Sequence, residues 1–350
     1  MEQQQYDLTI IGGGPAGLYA AFYSGLRGMK TKIIEFQPYL GGKIHIYPEK
    51  MIWDVGGLTP ITGQKLINQL VEQGLTFDPT VVLNEKVESI SKDDHGEFLL
   101  RGSSGECHRS KTVIVAVGSG ILKPQKLEIE GAERFEVSNL HYTVKSLKQF
   151  KNRTVIISGG GNSAVDWANE LEPIAEKVYL TYRKGELKGH EAQVTQLLNS
   201  TVCCLLNSSI TKLVANLNGD LVNKVEVTNH ENGHTEYVEI DDIIINHGYE
   251  RDSSLLENSS LNITMEDGFY IKGNAVSESS IPGLYAAGDI LKHDGKLHLI
   301  AGAFQDAANA VNQAKRFIDP KANSYGMVSS HNEVFKERNR QLLRDIVAKQ

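Results

Sequence analysis

Two glycine clusters in this chain have the spacing and setting to hold pyrophosphates. The first, Gly12-Gly13-Gly14-Pro15-Ala16-Gly17, follows the apolar run Leu8-Thr9-Ile10-Ile11. The second, Gly159-Gly160-Gly161-Asn162-Ser163-Ala164, follows Val155-Ile156-Ile157. Each lies between a strand pattern and a helix pattern, the setting a dinucleotide-binding turn needs. Glycine lets the backbone turn sharply and approach phosphate oxygens closely. The helix that follows offers unpaired N–H groups and the positive end of its dipole. The candidate contacts are Gly12, Gly14, Ala16 and Gly17 in the first copy and Gly159, Gly161, Asn162 and Ser163 in the second. Two copies imply two dinucleotides, with electrons passing between them.

The end of the next strand separates the two cofactors. In the first unit Thr31-Lys32-Ile33-Ile34 is that strand, and Glu35 ends it. A carboxylate there bonds a free ribose diol and repels a 2′-phosphate. The matching position in the second unit is Tyr182, followed by Arg183 and Lys184, with Lys188 a helical turn on. Cations at this point suit the 2′-phosphate of NADP. A solvated charge pair is the competing reading of Arg183 and Lys184. The pattern predicts FAD on the first unit and NADPH on the second. Thr112–Gly118 reads as a strand buried on both faces. Gly283-Leu284-Tyr285-Ala286-Ala287-Gly288-Asp289 reads as a strand delivering Asp289, placed to accept from flavin ribityl hydroxyls.

The elements that must position these residues give an α/β fold. It is expected to hold two Rossmann-like dinucleotide-binding domains of three-layer ββα type, the NADPH domain inserted in the FAD domain. The expected bounds are 1–120 and 250–350 for the FAD domain and 121–249 for the NADPH domain. Strands are expected at 6–11, 31–35, 154–158 and 178–182, with more over 80–118 and from 182 to about 229. A buried strand is expected over 241–246. Helices are expected at 15–28, 63–73, 163–172 and 299–317, and the stretch 333–350 reads as a charged helix. The N-terminus of the 299–317 helix opens near the flavin, where its dipole would favour negative charge on the ring.

Composition fits two globular domains: 350 residues, 40% hydrophobic, 23% charged, with 33 glycines. The net charge of −7 argues against general nucleic-acid binding. The polar opening Met1–Gln5 and the lack of a long apolar run predict a cytoplasmic chain with no signal peptide and no membrane span. The three cysteines, Cys107, Cys203 and Cys204, include no Cys-x-x-Cys pair. Cys203 and Cys204 sit in a strand pattern, so their side chains are expected on opposite faces as packing residues. No histidine cluster has metal-ligand spacing, so no metal is expected.

Together these features resemble the thioredoxin-reductase-like flavoproteins, in which an NADPH unit interrupts the FAD unit. Thioredoxin reductase itself needs a Cys-x-x-Cys before the second fingerprint, where this chain has Asn139-Leu140-His141-Tyr142-Thr143-Val144. The sequence is more similar to the thioredoxin-reductase-like ferredoxin–NADP reductases, through Ile46-Tyr47-Pro48-Glu49-Lys50, Asn139–Tyr142, Ser163–Ala168, Leu171–Ala175 and a long C-terminal tail. The resemblance implies a homodimer that exchanges electrons between NADPH and ferredoxin or flavodoxin. It also implies flavin contacts from Glu35, Lys43, Tyr47, Val87, Leu122, Asp289 and Ser330. Tyr47 would stack on one flavin face, and Val87 would meet adenine through its backbone. Lys43 stands where many members have glutamine, and Leu122 replaces a bulkier aromatic of some relatives. On the other flavin face relatives often place a ring from the partner subunit's tail. Here that position is Val328, with His331 nearby.

The chemistry then belongs to the cofactors: hydride from NADPH to flavin, single electrons onward, and no catalytic acid, base or nucleophile. In relatives the inserted unit rotates, so hinges are expected near 119–124 and 246–251. Two alternatives stand beside this reading. One is an NADPH-dependent disulfide reductase acting on a low-molecular-weight thiol. Some dithiol-free relatives do this with a cysteine in the first fingerprint, where this chain has Ala16. The other is a non-catalytic flavin redox sensor. Lys336, Arg338, Arg340, Arg344 and Lys349 are candidates for docking an acidic electron carrier, or else form a solvated helix face.

Overall fold

The computed structural model describes residues 4–120 and 123–348. The chain folds into two compact units, one of residues 1–45, 50–121 and 251–350, the other of residues 46–49 and 122–250.

The first unit opens with β1 (Gln5–Ile11), α1 (Pro15–Leu26) and β2 (Thr31–Ile34). A two-residue hairpin, β3 (Met51–Ile52) and β4 (Ile61–Thr62), precedes α2 (Gly63–Gly74), β5 (Thr80–Val82), β6 (Val87–Lys92), β7 (Phe98–Gly102) and β8 (Cys107–Val115). The second unit contributes β9 (Leu140–His141), β10 (Thr154–Ser158), α3 (Asn162–Leu171), β11 (Lys177–Tyr182), α4 (Glu191–Leu198) and β12 (Cys203–Leu206). It continues through β13 (Ser208–Ala215), β14 (Val222–Asn229), β15 (Thr235–Glu239) and β16 (Asp242–Ile245). The chain returns to the first unit with α5 (Ser254–Glu257), β17 (Met265–Glu266), β18 (Tyr270–Lys272), β19 (Leu284–Ala286), β20 (Leu291–Lys292), α6 (Ile300–Ile318) and α7 (Lys336–Ala348).

In the first unit β1 lies between β2 and β8, parallel to both, and β19 also runs parallel to β8. Alternate side chains of these strands face opposite layers. Leu8, Ile10, Ile33 and Ile114 pack with the alanines of α1 and α6, which recur as Ala303, Ala307, Ala310 and Ala314. Small residues at that helical spacing let the two helices lie close. Ile11, Ile34, Val113 and Val115 face the other way, onto Ile90, Phe98, Leu255, Phe269, Ile271 and Leu291. Helices cover one face of the parallel strands; on the other lie the antiparallel extension β8-β7-β6 of the same sheet and the small sheet β17-β18-β20.

The second unit repeats this plan. Its five strands run in the order β12-β11-β10-β16-β9. Val155, Ile157 and Ile244 pack against Ala164, Val165, Trp167 and Leu171 of α3. Ile156, Ile243 and Ile245 pack against Ile210, Val225, Val227 and Val238 of the antiparallel sheet β13-β14-β15. In each unit a helix layer, a parallel sheet and a smaller β sheet stack into the ββα plan. Among the described residues no helix is long and apolar enough to cross a membrane.

Candidate dinucleotide sites

Each unit carries its glycine cluster at the same place, outside the carboxyl ends of two adjacent central strands where the sheet order reverses. This is where open α/β sheets bind nucleotides. In the first unit the crevice lies between β1 and β8. Gly12 has φ +106°, and a Cβ there would lie 2.5 Å from the Ala116 carbonyl oxygen. A Cβ on Gly17 would lie 1.9 Å from the Gly12 carbonyl oxygen, so α1 meets the end of β1 only because Gly17 is bare. Gly14 caps α1 without a side-chain bond to its N–H groups, and Pro15 stands at the first helical position. Gly42, at φ +61°, approaches so closely that a Cβ on it would come within 2.7 Å of the Gly14 Cα. Glu35 is 9% exposed and follows β2 directly. Its two carboxylate oxygens accept from the backbone N–H of Gly13 (2.6 Å) and of Gln37 (2.8 Å). A buried carboxyl acceptor is thereby held against the glycine turn with lone pairs to spare for a ribose diol.

Asp289 follows Gly288 in a short turn after β19 and is half-buried. Gly288, at φ +78°, sits so near the first turn of α1 that a Cβ on it would lie 3.1 Å from the Ala16 Cβ. The structure therefore brings the Gly12–Gly17 turn, Glu35 and the Gly288–Asp289 turn to one end of one sheet. These residues fit an adenine dinucleotide carrying a free ribose, as FAD does. Lys43 is exposed on the turn Gly42–Ile46, and Val87 is buried at an irregularity where β6 leaves the register of β7. Leu122 lies outside the described residues.

In the second unit the crevice lies between β10 and β16. Gly159 has φ +152°, and a Cβ there would lie 2.6 Å from the Asn246 carbonyl oxygen. A Cβ on Gly160 would enter the Tyr182 ring at 2.3 Å. Gly161 differs: a Cβ on it would meet nothing within 4 Å, its φ is −93°, and it caps α3 without a side-chain bond. The protein itself demands the first two glycines, whereas the third leaves open space over a helix N-terminus. Asn162 and Ser163 are exposed there, and the Asn162 Oδ1 accepts from the backbone N–H of His190 (2.9 Å). Arg183 and Lys184 follow β11 directly, Lys188 donates its backbone N–H to the Gly160 carbonyl (2.7 Å), and none of the three pairs with a carboxylate among the described residues.

Two residues of this second site escape a sequence reading. His247 bonds Ser158 Oγ through Nε2 (2.9 Å); the surrounding protein and then the Arg183 charge push its pKa below the ordinary histidine value. Asn246 leaves its Oδ1 shielded from solvent with no partner, at the mouth of the crevice. Both stand just after β16, where the only local cue was the apolar run before them.

The family model described as pyridine nucleotide-disulphide oxidoreductase matches residues 6–314. Ferredoxin–NADP reductase 1 of Bacillus cytotoxicus is 74% identical over 346 residues, 99% of each chain. The namesake of Bacillus mycoides is 72% identical over 346 residues, again 99% of each. The chain belongs to the ferredoxin–NADP reductases of this family. Among solved structures, the thioredoxin reductase of Lactococcus lactis superposes with a TM-score of 0.74 at 25% identity, covering 89% of this chain and 99% of that one. The thioredoxin-reductase likeness and the repeated ββα plan agree with the fold class expected from the two fingerprints.

Three further sequence candidates of this ferredoxin–NADP reductase family member remain: Tyr47, Val328 and Ser330. Tyr47 sits in the 46–49 segment that groups with the second unit and packs on its Val155–Leu171 core cluster. Glu49 accepts from the Leu147 backbone N–H (2.7 Å) and ties the segment there. Val328 and Ser330 lie exposed in the tail. That tail is anchored at the far end of α1: Gly326 N–H donates to the Tyr23 hydroxyl (3.1 Å), and Phe335 packs on Phe77 with ring centroids 5.4 Å apart. Tyr23 lies nine residues past Gly14, so the anchor is ~13 Å along the helix from its glycine-capped N-terminus. Cys107, Cys203 and Cys204 are free and half-buried. Burial, with Cys203 beside it, pushes the Cys204 thiol up, the direction of an inert sulfur.

Proposed function

We propose that this chain moves electrons between NADPH and ferredoxin, or flavodoxin, with FAD on the first cradle and NADPH on the second. The observation that carries the reading is the contrast at the two ribose positions. The first cradle ends in a buried carboxylate, Glu35, and the second in cations, Arg183 and Lys184, that pair with no carboxylate among the described residues. A carboxylate selects a free diol and cations select a 2′-phosphate, so the same fold takes two different dinucleotides. We assign residues 1–120 and 250–350 to FAD and 121–249 to NADPH.

When bound, FAD supplies the passage from a two-electron hydride donor to one-electron carriers. The chain's own work is binding and orientation. Glu35 and Asp289 hold the flavin nucleotide at its ribose and its ribityl chain. The N-termini of α1 and α3 face the two pyrophosphates. Arg183 and Lys184 fix the phosphorylated ribose, and neutral His247 shapes the crevice mouth without adding charge. In a homodimer, Val328 and Ser330 of one copy would reach the flavin of the other, which accounts for their exposure in a tail anchored away from their own cradle. We place the enzyme in the cytoplasm.

An absorbance spectrum followed by anaerobic titration tests the reading. The expected result is a yellow protein bleached far more readily by NADPH than by NADH. Reduced ferredoxin should accumulate, and disulfide substrates should not turn over. Arg183→Ala with Lys184→Ala should remove most of the preference for NADPH. A colourless protein that takes up no flavin, or faster turnover of a low-molecular-weight disulfide than of ferredoxin, would overturn it.

A further inference from the structure

The loop from Gly288 to Leu299, which runs from the Asp289 turn to the start of α6, is folded around one buried carboxylate that the proposed chemistry does not use. Asp306 sits two turns into α6, with its side chain 9% exposed. Its Oδ2 accepts from the Gly288 backbone N–H (3.1 Å) and from Lys296 Nζ, whose side chain is 3% exposed. Its Oδ1 faces His293 Nε2 at 4.0 Å. Its own backbone carbonyl accepts from Ser277 Oγ (2.9 Å). Residues 288, 293 and 296 thus converge on a single group of the helix the loop leads into.

Burying an ammonium and a carboxylate is a weak source of stability, since desolvation offsets most of their attraction. What such a pair does well is fix geometry. Here it fixes Gly288, the residue that abuts Ala16 of the phosphate-binding turn and carries Asp289 next in sequence. It fixes equally the start of α6, whose N–H groups have no side-chain cap.

We propose that Asp306, charge-paired with Lys296, is a positioning residue for flavin: it holds the Gly288–Asp289 turn and the N-terminus of α6 in the register that binds FAD. This inference rests on FAD occupying the first cradle. Asp306 is not a catalytic residue, since it reaches the cofactor only through the backbone it holds.

The test is titration of flavin-stripped protein with FAD, together with the flavin reduction potential and the apoprotein melting temperature. Asp306→Ala removes both the charge and the acceptor for Gly288 and should weaken FAD binding ~10-fold or more. Asp306→Asn keeps an acceptor for the Gly288 N–H and should fall between Asp306→Ala and wild type. Lys296→Met should weaken FAD as Asp306→Asn does, and each should move the potential. Asp267→Asn, which breaks the exposed pair with Lys292 in the same unit, should leave all three readouts unchanged. If Asp306→Ala and Lys296→Met lower the melting temperature but leave FAD affinity and potential at wild-type values, the pair is merely structural and the inference fails. Should Asp306→Ala not fold, Lys296→Met decides alone. If wild-type apoprotein itself takes up no FAD, the failure lies with the cofactor assignment.

Discussion

At the scale of single residues, the glycines divide into those the fold requires and those a ligand requires. Gly12, Gly17, Gly159 and Gly160 each stand where a Cβ would strike protein atoms. Gly161 stands where it would strike nothing, with a backbone angle that any residue adopts. Gly161→Ala should therefore leave the melting temperature within about a degree or two, since exposed substitutions without such a clash cost ~0.5 kcal/mol or less. The same change should weaken NADPH binding at least ~10-fold by intruding on the pyrophosphate. Isothermal titration beside a thermal melt separates the two effects, and an unchanged NADPH affinity would place the pyrophosphate elsewhere. A second residue ties the fold to pH. His108 is buried, its Nδ1 is 3.0 Å from Lys32 Nζ, and its Nε2 has no partner. Burial first, and then the Lys32 charge, hold its pKa below the ordinary value of 6.5. The unfolded chain therefore binds this proton more readily than the folded one. The resulting stability is whole above pH 6.5 and is lost as pH falls from there through the folded pKa. Urea unfolding should give a smaller free energy at about pH 5.5 than at about pH 7.5, and His108→Gln should flatten that difference.

At the scale of elements, the tail is the piece whose role depends on where it is held. Its anchors, Gly326 on Tyr23 and Phe335 on Phe77, leave Val328 exposed between them. If Val328 of a partner copy covers a flavin face, as proposed, it shields that face less than a ring does, and Val328→His should change the flavin's visible spectrum and the hydride-transfer rate. Unchanged rapid-mixing kinetics and spectrum would remove Val328 from the flavin's surroundings. The elements legible from sequence were those with a strong local cause. Apolar runs gave β1, β10 and β16, the glycine turns gave the starts of α1 and α3, and Leu66, Ile67 and Leu70 on one stripe gave α2. Others had no such cause. Helix α4 buries only Leu197, and β17, β18 and β20 are two or three residues long, with partners set by tertiary contact. The glycine turns of both candidate sites were legible for the same reason. His247 on Ser158 and Lys296 on Asp306 were not, because such pairings leave no periodic trace in the chain.

At the scale of the whole molecule, charge governs how an electron carrier is met. The chain has a net charge of −7, so an acidic ferredoxin approaches against the overall field and needs a local positive surface. The C-terminal helix is the segment where cations crowd. Lys336 at its start pairs with Glu333 just before it at 3.0 Å and Arg340 with Glu337 at 3.2 Å, whereas Arg338 and Arg344 have no carboxylate partner among the described residues. Lys349 lies outside the described residues. Exposed pairs one helical turn apart are worth little and open easily, so Lys336 and Arg340 can still turn toward a partner. If this helix docks ferredoxin, kcat/KM for ferredoxin should fall as ionic strength rises, because attraction between exposed charges is screened beyond ~10 Å at about 0.1 M salt. Arg338→Glu with Arg344→Glu should lower that constant at low salt and make it far less sensitive to salt. Ferricyanide, which needs no docking surface, should be reduced by NADPH at the wild-type rate in the same variant. A double variant that keeps both the ferredoxin constant and its salt dependence would move the docking surface off this helix. The positive surface would then have to lie elsewhere on a chain whose acids outnumber its basic residues 43 to 36.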